Sequence, residues 1–160
     1  PIISAVGGWC VGGALVLSMM CDLTVSAENG KFAYPEARMG FTGGLIAGLA
    51  GRIPHKIAME MMLLGERLPA PKALEWGLIN RCVPDAELMP TAKALAQELA
   101  NGPTKTLGLI RQLGWTSQDA LWAEQLQAER VSQRNAGYTE DFREGVTAFL
   151  QKRKAEFKGS

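Results

Sequence analysis

Two stretches of the sequence carry residues suited to chemistry. In GGWCVGGALVL, Gly7 to Leu17, four glycines crowd the entrance to an apolar helical run. The first N–H groups of a helix have no partner within it, and the helix dipole places positive charge behind them. At Gly12 and Gly13 no side chain stands before those groups, so an oxygen with developing negative charge can approach the backbone. Close packing against a strand is the other reading of the same glycines. The second stretch is FAYPEARMGF, in which Glu36 follows Pro35 and lies among Tyr34, Met39 and Phe41. A carboxylate held in an apolar pocket is suited to general acid–base work. A glutamate at a helix start or on the surface is the alternative.

Other reactive residue types give less. His55 is the single histidine, so a histidine metal cluster is ruled out and any Ser/His/Asp triad within the chain rests on it alone. Its place in RIPHKIAME, at a helix start, suggests a structural or solvent-facing role. Cys10, Cys21 and Cys82 are odd in number and lack CxxC spacing, which points to buried or free thiols in a reducing compartment, with no metal site. The tryptophans at 9, 76, 115 and 122 are scattered and read as packing residues. The basic segment QKRKAEFK, Gln151 to Lys158, reads as a solvated helix end, with a phosphate contact as the other possibility. No P-loop and no GxGxxG after a strand is present.

These residues need elements to hold them. Ile2–Val6 has the β-branched content of a strand and stops at a glycine pair. Gly12–Met20 is expected as a buried helix with almost no polar face. Strands are expected over Leu23–Ala27, Lys31–Tyr34 and Leu78–Val83, with Glu28-Asn29-Gly30 as a turn. Residues 36–44 are expected as a loop, followed by helices around Leu45–Arg52 and from Pro54 to Leu64. A short helix over Ala70–Gly77 has a glycine cap. From Glu87 the pattern is helical, broken at Asn101-Gly102-Pro103, Gly114 and Asn135-Ala136-Gly137. The last helix opens with Thr139 and acids and runs on to Phe157. Residues 1–86 thus form an α/β part, and residues 87–160 a helical one that packs back on its own core or meets another subunit.

Together these stretches resemble the crotonase superfamily, the enoyl-CoA hydratase/isomerase family. SAVGGWCVGGALVLSMMCDLTVSAENGKFAYPEARMGF is similar to the family's strand–glycine turn–helix–strand–PE core. AMEMMLLGERLPAPKALEWGLINRCVP and DFREGVTAFLQKRKAEF resemble its later elements in the same order. The resemblance implies a spiral of ββα units, with a helical carboxy-terminal region that makes homo-trimers or hexamers. It implies an acyl-CoA thioester substrate, the coenzyme A being part of the substrate and no separate cofactor being needed. By position, Gly13 falls on an oxyanion N–H donor and Glu36 on one of two catalytic carboxylates, with Gly12, Gly13 and Gly44 at the substrate.

Two departures from the family pattern matter. Val16 stands where hydratases carry their other glutamate, which favours a single-base reaction, an isomerase-type double-bond shift. A hydratase, a hydroxycinnamoyl-CoA hydratase-lyase and a non-catalytic CoA-binding scaffold are the alternatives. The stretch GFTGGLIAGLAGR, Gly40 to Arg52, is slightly shorter than the family's usual loop. The other oxyanion donor and most of the CoA-binding segment are expected upstream of Pro1, so the chain alone is expected to be inactive unless the missing part is present as a second chain.

Composition limits the remaining classes. With 160 residues, 47% hydrophobic and 21% charged, the chain resembles an ordinary globular one. A net charge of +1 without a basic stripe argues against a nucleic-acid partner. Apolar stretches such as Leu45–Ala50 are too short to span a bilayer and no signal-peptide pattern is visible, so the cytoplasm or an organelle matrix is expected.

Overall fold

The computed structural model describes residues 1–39, 46–117 and 122–160. Along the chain the elements are β1 (Ile3–Val6), β2 (Trp9–Val11), α1 (Gly13–Met20), β3 (Leu23–Ala27) and β4 (Lys31–Ala33). Then come α2 (His55–Leu64), β5 (Leu68–Pro69), α3 (Ala70–Glu75), β6 (Arg81–Val83), α4 (Leu88–Ala100), α5 (Thr104–Thr116), α6 (Trp122–Gly137) and α7 (Glu140–Gln151). They fall into two compact units, Ile2–Ala94 and, with Pro1, Leu95–Ser160.

The first unit holds two small sheets. One has the order β1-β3-β6, all parallel, with Ile3 beside Leu23 and Val25 beside Arg81. The other has the order β2-β4-β5, with β2 parallel to β4 and β5 antiparallel to it. The chain therefore crosses from the first sheet to the second twice, through Gly7-Gly8 and again through Glu28-Asn29-Gly30. Each crossing places a strand pair side by side with the last, which is a ββα repeat. The Lys31 N–H donates to Gly8 O at 2.8 Å and locks the two crossings together. Leu15, Phe32 and Leu49 are fully buried in the core shared by these layers.

At the foot of this core, Ser4, Ser18 and Thr24 join β1, α1 and β3 through their hydroxyls. Ser4 Oγ lies 3.0 Å from Ser18 Oγ and 2.7 Å from Thr24 Oγ1, and the last two are 3.3 Å apart. Each hydroxyl meets the others, so the buried Ser18 and Thr24 and the half-buried Ser4 are partnered by one another.

Several expectations need correction. Helix α1 is buried on one side only: Leu15, Val16 and Met19 face the core, whereas Leu17 and Met20 are exposed. Leu17 and Met20 are three apart and so share a second helix face. The stretch expected as a helix near Leu45–Arg52 is a 3-10 turn over Ile46–Gly51. Residues 36–39, expected as loop, are likewise one 3-10 turn. The strand expected from Leu78 begins only at Arg81, because the Leu78 and Ile79 N–H groups bond back to Ala73 O and continue the end of α3. Strands β2 and β5 have two or three residues each, too few for a period-2 pattern to show. Gly114 does not break α5, since a lone helical glycine costs only about 1 kcal/mol.

In the second unit, α5 packs on α6 and α6 on α7. Thr139 caps α7 by accepting the Phe142 N–H at 3.0 Å. The helix ends at Gln151, short of Phe157, because Lys152 turns left-handed at φ 54° and the chain folds back. Two carboxylates hold this tail. Glu144 takes both Nη atoms of Arg153 at 2.6 and 2.8 Å and the Glu156 N–H at 2.8 Å. Asp141 takes the Lys158 and Gly159 N–H groups at 2.7 and 2.8 Å. The bonds from Arg153 and the Glu156 N–H hold the Glu144 carboxyl down at about 2. A carboxyl lowered on folding stabilises the folded form above its ordinary value and loses that contribution as pH falls through the lowered one. Protection of the Glu156 amide is therefore full at neutral pH and lost between about 4.5 and 2. Amide exchange corrected for intrinsic rate measures this, and Glu144→Gln removes the dependence.

Candidate active site

The site forms where β2 hands over to α1. Gly12 has φ 56° and ψ −117°, a conformation open only to glycine. Its N–H donates to Ala33 O at 3.0 Å, and its carbonyl accepts the Val16 N–H at 3.1 Å, which starts the helix. Gly12 therefore has no free N–H to offer a ligand and acts through its shape. Gly13 is the first helical residue and is exposed, and its N–H meets no acceptor among the described residues. It carries the positive end of the helix dipole, so it is the donor available to an incoming oxygen.

Glu36 comes to the same place from β4. Pro35 ends the strand, and Glu36 opens the 3-10 turn that the Arg38 N–H closes on Pro35 O at 2.9 Å. Its side chain is 9% exposed, and a Cβ built on Gly12 would lie 2.5 Å from Glu36 Oε1. The glycine thus makes room for the carboxylate. Oε2 is buried and has no hydrogen-bond partner among the described residues. Leaving such an oxygen unpaired costs roughly 1–3 kcal/mol or more. The nearest arginine in sequence does not pair with it. Arg38 donates to Leu64 O at 2.7 Å and to Glu66 Oε1 at 3.0 Å, beside the left-handed Gly65 that caps α2.

A carboxylate oxygen pressed against the glycine before a free helix N–H can move a proton beside a carbonyl whose oxygen rests on that N–H. Gly12→Ala tests the packing. The new methyl strains the backbone by about 1–3 kcal/mol and displaces Glu36 Oε1, and a misplacement near 1 Å costs on the order of 10²-fold in rate. A thermal melt and kcat on one variant measure both.

The other candidates fall elsewhere. Gly44, expected at the substrate, lies outside the described residues. Val16 is buried in the core on the inner side of α1. His55 is exposed at the first position of α2. Burial pushes the Cys10 thiol up to about 11 against the opposing effect of its hydrogen bond with Ser18, so it is not a thiolate nucleophile at neutral pH. All three cysteines are free, and among the described residues no group of three or more His, Cys, Asp or Glu gathers as a metal site. Trp9 corrects the expectation of a packing role. It is 55% exposed, with Lys31 Nζ and Arg67 Cζ each 5.1 Å from its ring centroid. It borders an open groove of about 300 Å³ between β1 and the outer face of α1, which contains neither Gly13 nor Glu36.

This strand–glycine–helix frame with a buried carboxylate belongs to a crotonase-like fold. The model of the enoyl-CoA hydratase/isomerase family matches residues 1–160, and the chain belongs to that family. It is 40% identical over 164 residues to 1,2-epoxyphenylacetyl-CoA isomerase of Escherichia coli K12, covering 99% of this chain and 62% of the relative. Carnitinyl-CoA dehydratase of the same strain is 35% identical over 166 residues, covering 99% and 63%. Among solved structures, an enoyl-CoA hydratase subunit of Geobacillus kaustophilus HTA426 superposes with a TM-score of 0.96 at 35% identity, over 100% of this chain and 63% of that one. Enoyl-CoA hydratase of Mycobacterium tuberculosis H37Rv does so with a TM-score of 0.94 at 28% identity, over 100% and 64%. The chain thus spans a little under two thirds of the length of these relatives. No helix among the described residues is long and apolar enough to cross a membrane.

Proposed function

We propose that the protein acts on a coenzyme A thioester and shifts a carbon–carbon double bond, with Glu36 as proton shuttle and Gly13 N–H as oxyanion donor. The observation that carries this is the buried Glu36 carboxylate packed on Gly12, its Oε2 without a hydrogen-bond partner among the described residues, one residue from a free helix N–H. Glu36 removes a proton from the carbon between the thioester carbonyl and the double bond. The electron pair passes through the carbonyl carbon to its oxygen, which the Gly13 N–H stabilises. The protonated Glu36 then returns its proton to the far end of the old double bond, and the new double bond conjugates with the carbonyl. One base serves both steps, and no separate cofactor takes part.

Val16 supports this reading, since the resemblance matches it to the position of the second catalytic carboxylate of hydratases, and it is an apolar residue packed in the core. The similarity to an isomerase agrees with it. Hydration is the second reading, favoured by the similarity to carnitinyl-CoA dehydratase and to enoyl-CoA hydratase structures. The full-length protein, given 3-enoyl, trans-2-enoyl and hydroxycinnamoyl thioesters, distinguishes them by product. A conjugated enoyl thioester from the first supports the shift, whereas a 3-hydroxyacyl product from the second moves the reading to hydration. A thioester that binds without turnover makes the protein a scaffold. In the same proposal the helical region 87–160 carries a trimer contact, for which the exposed Phe142, Val146, Phe149 and Leu150 of α7 supply the apolar face.

A further inference from the structure

Tyr34 is as unusual as Glu36. It is 3% exposed and packs in the core, yet its hydroxyl oxygen is buried and has no hydrogen-bond partner among the described residues. Among the described residues only one other side-chain atom shares that condition, Oε2 of Glu36 two positions later. Phe32, two positions earlier, is fully buried and shows that this core takes an aromatic ring without a polar atom. A phenylalanine at 34 would keep the ring and avoid burying an unpaired hydroxyl. The two unfilled groups are complementary, one an O–H donor and the other a carboxylate acceptor. The link between them is short and stiff. Pro35 has a fixed φ and biases Tyr34 toward extended backbone, and the following turn is pinned by the Arg38 N–H on Pro35 O.

We propose that Tyr34 is a positioning residue for Glu36: when the site is filled, its hydroxyl donates to Oε2, directly or through one buried water. Oε1, lying against Gly12, is then the oxygen that moves the proton, and Oε2 is the fixed end of the carboxylate. The inference rests on Glu36 being the proton shuttle, and the test separates the two.

Tyr34→Phe, Glu36→Gln and the double variant are made in the full-length protein and assayed on a 3-enoyl thioester, with thermal melts alongside. Tyr34→Phe is expected to lower kcat about tenfold with KM nearly unchanged and the melting temperature equal or higher, because the ring stays and an unpaired hydroxyl goes. On the Glu36→Gln background it is expected to have no further effect, since the acceptor's charge is gone. An unchanged kcat for Tyr34→Phe beside a large loss for Glu36→Gln overturns the role of Tyr34 and leaves Glu36 in place. Multiplied losses in the double variant overturn it too, because the residues would then act independently. A Glu36→Gln enzyme with its full rate removes the proton shuttle itself.

Discussion

Glu36→Gln is expected to slow the full-length enzyme on a 3-enoyl thioester by roughly two to four orders of magnitude, the range lost with a general acid–base group. The amide matches the carboxylate in size, so the contact with Gly12 survives. It can neither take the proton nor return it. Removing a charge from a site where Oε2 has no partner among the described residues also leaves the melting temperature equal or higher. A large kinetic loss in a fully stable protein therefore belongs to the chemistry and not to folding. Glu36→Asp adds a graded test. It keeps the charge but withdraws it by one methylene, so its rate is expected between the two. A Glu36→Gln enzyme that keeps its rate takes Glu36 out of the mechanism.

What made this site legible is that its main parts are local. Gly12-Gly13 before an apolar run, and Pro-Glu after a short strand, each announce a backbone event that needs few distant contacts. The sequence predicts strand Leu23–Ala27 over the same residues that form it, because Thr24 and Val25 lie within it and the turn Glu28-Asn29-Gly30 follows it. The features that escaped depend on partners far along the chain. Strand β5 exists because Leu68 reaches Phe32, and the tail after Gln151 turns because Asp141 and Glu144 capture it. Trp9 joins two cations, Lys31 of β4 and Arg67 just before β5, that no local pattern brings together. Nothing in FAYPEARMGF shows that Tyr34 has an unfilled hydroxyl, since that depends on what its oxygen fails to meet in three dimensions.

The geometry also divides labour between the two glycines, which the sequence presents as a pair. Gly12 is fixed by conformation and by the carboxylate behind it, whereas a Cβ on Gly13 would meet nothing within 4 Å. Glycine at 13 is therefore not required by the fold, and what it offers is an unobstructed N–H.

That N–H can be removed with little damage. Proline is well tolerated at the first helical position, where its missing N–H would have no helical partner. Gly13 is not among the residues with positive φ, and Gly12 before it lies outside the α region that a following proline disfavours. Gly13→Pro is thus expected to fold with a melting temperature close to that of the parent. Its rate on the thioester is expected to fall by about 10²–10³, the loss on removing one oxyanion donor. Gly13→Ala is the matched control. It keeps the N–H, fills open space and improves helix propensity by up to about 1 kcal/mol. If the alanine variant works and the proline variant does not, the N–H is the functional group. If both keep the parent's rate, the thioester oxygen rests elsewhere and Gly13 only begins the helix. If both lose it equally, the open space before residue 13 matters for binding, and KM rather than kcat will carry the change.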